Sequence, residues 1–227
     1  MSGIVRITKN LSFDDLLSGS IAPVDAYRTQ VRDWILSPAR RLSESYPEDT
    51  DHGMALLALE LMFFEPHGQF LEGKYEKGRS KHYFCTAFER FRQFLRGRSM
   101  STVDTDGLRT ESIYKWARCG LFHSTLLANE LLVDALQFGE TSLSKNPIIC
   151  GGWLIDPWRM LVELEDYVDS YVSEIRANRD SAIATNFEAT FKKLLREPAE
   201  SFGRLALKQT ANRRVDQTRF PRGSPTG

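Results

Sequence analysis

The chain reads as an all-α protein, and three stretches carry that expectation. Tyr27, Val31, Trp34 and Ile35 recur at helical spacing. Phe84, Phe88, Phe91 and Leu95 follow at intervals of four, three and four, which places them on one helix face as a core stripe. Asp156-Pro157 is a helix start, with Asp as N-cap and Pro at the first position, and Leu161, Leu164, Val168 and Tyr171 then form one apolar face.

Taken in order, Phe13 to Leu17 makes a helical turn and Gly19 to Pro23 a loop. A helix follows from about Val24; Pro38 is expected to end or kink it, with Arg40 to Tyr46 as a candidate continuation. Pro47 to Asp51 is a turn rich in N-cap residues. Gly53 to Phe64 is too apolar for a surface helix and is read as a buried one, interrupted by Pro66. A basic, glycine-flanked loop, Gly73 to Ser80, precedes the phenylalanine helix, which Ser80 caps. Gly97 to Gly107 is a polar loop. A fourth helix begins near Thr110 or Glu111, and an apolar helix from about Leu121 to Leu136 succeeds it. Phe138 to Gly152 is irregular or holds short strands. Helices over Pro157 to Arg176 and Ala182 to Leu195 complete the pattern. The expected division is an N-terminal extension (1–24), a helical domain (25–197) and a flexible basic tail (198–227).

Thirty basic residues balance thirty acidic ones, but unevenly. Lys74 to Arg98 holds eight basic and two acidic residues, and Ser201 to Gly227 six and one. Such patches attract polyanions even on a neutral chain, which makes Lys74, Lys77, Arg79 and Lys81 candidate RNA contacts. The alternative is a solvated helix face. Three cysteines with no Cys-x-x-Cys pair fit a reducing compartment, the cytoplasm by default. No apolar run approaches the roughly 20 residues that span a bilayer, so no membrane association is expected. His52, His67 and His82 lack metal-ligand spacing, and neither a phosphate-cradling glycine loop nor a Gly-x-Ser-x-Gly frame is present, so no metal or cofactor is expected.

The run Tyr114-Lys115-Trp116-Ala117-Arg118-Cys119-Gly120-Leu121-Phe122-His123 sets a permanent cation and a group that titrates near neutrality five residues apart. These are the minimal parts for cutting RNA without a metal. With 21 arginines and 4 histidines, about one such pair arises by chance, so the frame around it carries the weight. On a regular α-helix the two residues would lie roughly 140° apart. They therefore need a distortion, for which Gly120 offers a place, or a second subunit. The bland alternative is that Arg118 pairs with a carboxylate such as Glu60 or Glu111, and that His123 is a partly buried capping histidine. Glu60 and Glu65 sit on the apolar second helix, where a carboxylate either orients Arg118 or His123 or simply faces solvent.

Arg118-Cys119-Gly120-Leu121-Phe122-His123, between an aromatic helix and an apolar one, resembles the Arg-x4–6-His signature of the HEPN superfamily, in particular a bacterial and plasmid-borne branch. The likeness runs over roughly Asp51 to Ala177. Where many members carry Asn, Asp or His after the arginine, this chain has Cys119. The resemblance implies an up-and-down helical bundle and a homodimer with a composite active site. It implies catalytic roles for Arg118 and His123 in metal-independent RNA cleavage, and a setting as a toxin with an antitoxin partner or as phage and plasmid defence. Non-catalytic HEPN modules that bind RNA, a nucleotide or a protein are the alternative it leaves.

Overall fold

A computed structural model describes residues 6–47, 49–98, 107–124, 131–134, 141–145 and 152–194, with backbone alone at 6, 13, 50 and 122–124. The expected tail and most of the 97–107 loop lie outside the described residues.

The described fold is mostly helical. It opens with a two-stranded antiparallel hairpin, β1 (Arg6–Thr8) and β2 (Leu11–Ser12), and the single turn α1 (Phe13–Leu17), which is closed by a reciprocal Ser12–Asp15 capping box. Leu11 carries this segment into the core. Next come α2 (Pro23–Val31), a π-helical segment Arg32–Leu36 and α3 (Ser37–Ser45), a continuous helical path. Pro38 therefore does not end the helix. Its ring would strike the carbonyl four residues back in regular α winding, and the wider π turn just before it relieves that contact.

The central helix, α4 (Thr50–Glu72), starts at Asp49, whose carboxylate accepts from the Asp51 and His52 amides. It runs unbroken through Pro66, contrary to the expected interruption. Met62 and Pro66 are both exposed, so the carbonyl that Pro66 cannot serve lies on the solvent side. Gly73, in the left-handed conformation (φ 68°), ends the helix. Its last turn is closed from outside: Asn186 donates to the Leu71 carbonyl (2.7 Å) and Thr190 to that of Gln69 (3.0 Å). Both residues belong to the final described helix, α8 (182–194).

Helix α5 (Ser80–Arg98) packs on α4 through the stripe expected from the sequence; Phe84, Phe88, Phe91 and Leu95 are all buried. Gly68 sets the spacing of the two helices, because a Cβ there would collide with the Tyr83 backbone carbonyl. The short α6 (Thr110–Ile113) leads into a second π-helical segment, Tyr114–Ser124.

The chain then departs from the expected apolar helix. Leu131–Val133 forms a strand, β3, in a three-stranded sheet ordered β3-β5-β4, with β4 at Leu143–Lys145 and β5 at Trp153–Ile155. β3 runs parallel and β4 antiparallel to the central β5. Leu131 and Val133 are buried while Leu132 is exposed, the period-two pattern of a strand with one covered face. Helix α7 (Pro157–Ala177) begins at Asp156, which accepts from the Arg159 amide, and buries Leu161, Leu164, Val168 and Tyr171 as expected.

Helix α7 also explains where much of the positive charge goes. Its acidic residues clamp the neighbouring helices: Asp169 holds Arg28 of α2, Glu165 holds Arg40 of α3, and Glu174 and Asp166 hold Arg90 and Arg98 of α5. No helix among the described residues is long and apolar enough to cross a membrane.

Candidate functional site

Arg118 sits in the second π segment, partly buried, against α4. Its Nη2 donates to Glu65 Oε2 at 3.0 Å, and its guanidinium lies 5.8 Å from the centre of the Tyr114 ring. Glu65 is thus the carboxylate that meets Arg118. Glu111 instead pairs with Lys81 (3.0 Å), and Glu60 is fully buried. Tyr114, one π turn before Cys119, borders the same groove as that cysteine. Desolvation, and then Cys119, push that phenol above the ordinary tyrosine range, so it stays protonated at neutral pH.

The winding between Arg118 and His123 is the informative feature of the site. A π-helix closes i to i+5 hydrogen bonds and turns about 82° per residue, so five residues bring two positions to within roughly 50° of one another. Regular α winding would leave them about 140° apart. Positions 118 and 123 both lie inside Tyr114–Ser124. The distortion expected at Gly120 is therefore a widening of the whole segment rather than a break. The side chain of His123 lies outside the described residues.

Beside Arg118, a groove of about 390 Å³ is bordered by Lys81, Arg109, Glu111, Ser112, Tyr114, Lys115 and Cys119. Of the four basic residues suggested by the sequence, this groove takes in Lys81 alone. Lys74 and Lys77 are exposed in the loop after α4, and Arg79 is paired with Glu76 (3.1 Å). Within the basic stretch, Arg90, Arg92 and Arg98 also face carboxylates. Most of that stretch is spent on internal pairing, and the cations of the groove beside the motif are Arg109, Lys115 and Lys81, the last paired with Glu111.

Two buried polar features had no sequence signal. His67 of α4 is enclosed and bridges two phenols, with Nδ1 2.8 Å from Tyr27 Oη and Nε2 2.8 Å from Tyr167 Oη. Burial, with Arg90 adding a lesser push, lowers its pKa to about 3. Burial likewise raises Tyr27 and Tyr167. Glu60 is fully buried, neither carboxylate oxygen has a hydrogen-bond partner among the described residues, and desolvation, then Asp156 and Glu163, raise its pKa well above the usual carboxylate range. Among the described residues, no three His, Cys, Asp or Glu side chains are placed to hold a metal ion.

No family model, no curated protein and no solved structure matches this chain.

Proposed function

We propose that this chain is a HEPN-like, metal-independent endoribonuclease. The observation that supports the reading is the π-helical segment that turns positions 118 and 123 toward one side, with Arg118 held in place by Glu65 and Tyr114. A guanidinium in a fixed orientation stabilises charge developing on a phosphorane better than a mobile one, because no reorganisation is needed during reaction.

In the proposed reaction the ribose 2′-hydroxyl attacks the adjacent phosphorus and the bond to the 5′-oxygen breaks. The products are a 2′,3′-cyclic phosphate and a 5′-hydroxyl. Arg118 stabilises the extra negative charge at phosphorus. His123 takes the 2′-hydroxyl proton or delivers one to the leaving oxygen, and His123 of a second subunit performs the complementary transfer. The functional form is accordingly a homodimer acting on RNA in the cytoplasm. Its setting is a toxin held by an antitoxin, or phage and plasmid defence. DNA, lacking the 2′-hydroxyl, is inert.

A second reading has one observation in its favour: Glu65 already opposes the charge of Arg118, as suits a non-catalytic RNA-binding module. Incubating single-stranded RNA in EDTA with wild type, Arg118→Ala and His123→Ala separates the two. Cutting by wild type alone, leaving cyclic phosphate ends, is the expected result. Intact RNA with all three proteins, each folded, replaces the nuclease with the module.

A further inference from the structure

A second charged surface lies on the first helical path, away from any residue assigned above. In the π segment Arg32–Leu36 the Ser37 amide donates to the Arg32 carbonyl, one residue further back than in an α-helix. This shifts the register of everything downstream. Steps of four, five and four residues stack Arg28, Arg32, Ser37 and Arg41 in one row. Without the inserted residue, Arg32 would instead align with Leu36 and Arg40. The row spans about 20 Å at roughly 1.5 Å per residue.

Arg28, Arg32, Ser37 and Arg41 line a hollow of about 520 Å³. Around Arg32, Ser37 and Arg41 it continues into another, of about 640 Å³, beside the β1–β2 hairpin, where Trp34 and Asn10 join. The cations of this groove divide into two kinds. Arg28 is tied to Asp169 and Arg40 to Glu165. Arg32 and Arg41 are exposed, and neither has an ion-pair partner among the described residues. Asp33 and Glu44 also border the groove, and the Asp33 carboxylate accepts from the Asn10 amide at 3.1 Å.

Trp34 lies between the two unpaired arginines in sequence and is 54% exposed. Its indole N–H donates to the Ile7 carbonyl of β1 at 3.1 Å, which fixes the ring against the hairpin while leaving it open to solvent. A fixed, exposed indole beside two unpaired guanidiniums combines the two elements of single-strand recognition: an aromatic platform for a base and forked donors for phosphates. An acidic peptide would use the arginines and leave the indole idle. A duplex offers no unstacked base.

We infer that this groove binds single-stranded nucleic acid, with phosphates on Arg32 and Arg41 and a base stacked on Trp34. The site is independent of Arg118 and His123, and it serves a cleaving and a non-cleaving chain alike.

The test is fluorescence anisotropy of a labelled oligodeoxythymidylate, which lacks the 2′-hydroxyl needed for the proposed cleavage, with the full-length protein. Arg32→Ala/Arg41→Ala is expected to weaken binding at least tenfold and to make the slope of log K against log salt shallower by about 1.4, the value for two single-strand phosphates. Arg32→Lys/Arg41→Lys keeps the salt slope and loses part of the affinity, because charge remains and the fork does not. Trp34→Ala costs about tenfold, and Trp34→Phe recovers part of that. Unchanged affinity in the double alanine variant overturns the proposal. So does loss of binding on Lys74→Ala/Lys77→Ala instead, or displacement of the oligonucleotide by polyglutamate at equal charge concentration. Binding without any RNA cleavage would leave this groove in place and remove the nuclease reading alone.

Discussion

Acidification should unfold this protein through His67. The imidazole is enclosed between Tyr27 and Tyr167, and both ring nitrogens are engaged. A neutral ring satisfies this arrangement by donating to one phenol and accepting from the other. A protonated ring would carry its charge in a fully buried site, with Arg90 opposing it further, which is why its pKa falls to about 3 in the folded state, against an ordinary 6.5. Between those values the unfolded chain binds a proton that the folded one does not. Stability is therefore complete above pH 6.5 and is lost as pH falls toward 3, by up to about 1.4 kcal/mol per pH unit. From pH 7 to pH 4 the loss attributable to His67 is about 3 kcal/mol, a large fraction of the 5–15 kcal/mol typical of a domain. Other groups titrate in the same range, so the measurement is a difference. Urea unfolding of wild type and His67→Gln, followed by circular dichroism at pH 7 and pH 4, isolates the term. Gln retains one donor and one acceptor for the two phenols and cannot titrate. The wild-type decrease should exceed that of the variant by about 3 kcal/mol. Parallel decreases, agreeing within about 1 kcal/mol, would refute the reasoning.

Glu60→Met should raise stability by about 1–3 kcal/mol at pH 8, since it removes a buried carboxyl with no hydrogen-bond partner among the described residues. The gain should grow with pH, because the wild-type carboxyl stays protonated when folded and ionises when unfolded; urea titrations at pH 5 and pH 9 check the sign. Gly68→Ala drives a methyl group into the Tyr83 backbone carbonyl where α4 and α5 touch. It should cost at least about 3 kcal/mol, read as a lower urea midpoint with an unchanged m-value. Glu65→Gln keeps a hydrogen-bond acceptor for Arg118 but removes the opposing charge. RNA cleavage should fall less than tenfold in this variant and by more in Glu65→Ala, whereas equal losses in both would mean that the charge, not the positioning, matters.

Sequence patterning revealed the helices wherever burial is one-sided. The α5 phenylalanine stripe and the α7 face need only the 3.6-residue period to be seen, and Asp49 and Asp156 announce their helices by cap chemistry. Pro66 misled because a proline's cost depends on where the orphaned carbonyl points, whereas at Pro38 the helix continues through a π segment that opens just before the ring. Residues 131–133 misled because a short apolar run fits a buried strand as well as a helix; the partner strand, at 153–155, lies 22 residues downstream. At the candidate site, Arg118 and His123 were visible as a spacing and Glu65 as one of three carboxylates, with Glu60 and Glu111. The π winding that relates positions 118 and 123 was not visible, since no residue type specifies it. The Tyr27–His67–Tyr167 bridge joins residues 40 and 100 positions apart and leaves no local trace. The basic stretch was read from its own charges alone, while three of its counter-charges, Glu111, Asp166 and Glu174, lie on α6 and α7.

The central claim is that Arg118 and His123 act in one RNA-cleaving site. Single-turnover cleavage rates of wild type, Arg118→Ala, His123→Ala and the double variant test it most directly. Residues that act as a unit give non-additive losses. Each single change is expected to cost at least about a hundredfold, and the double variant to be no more than about tenfold slower than the worse single. Losses that multiply, or wild-type RNA left uncut, would contradict it.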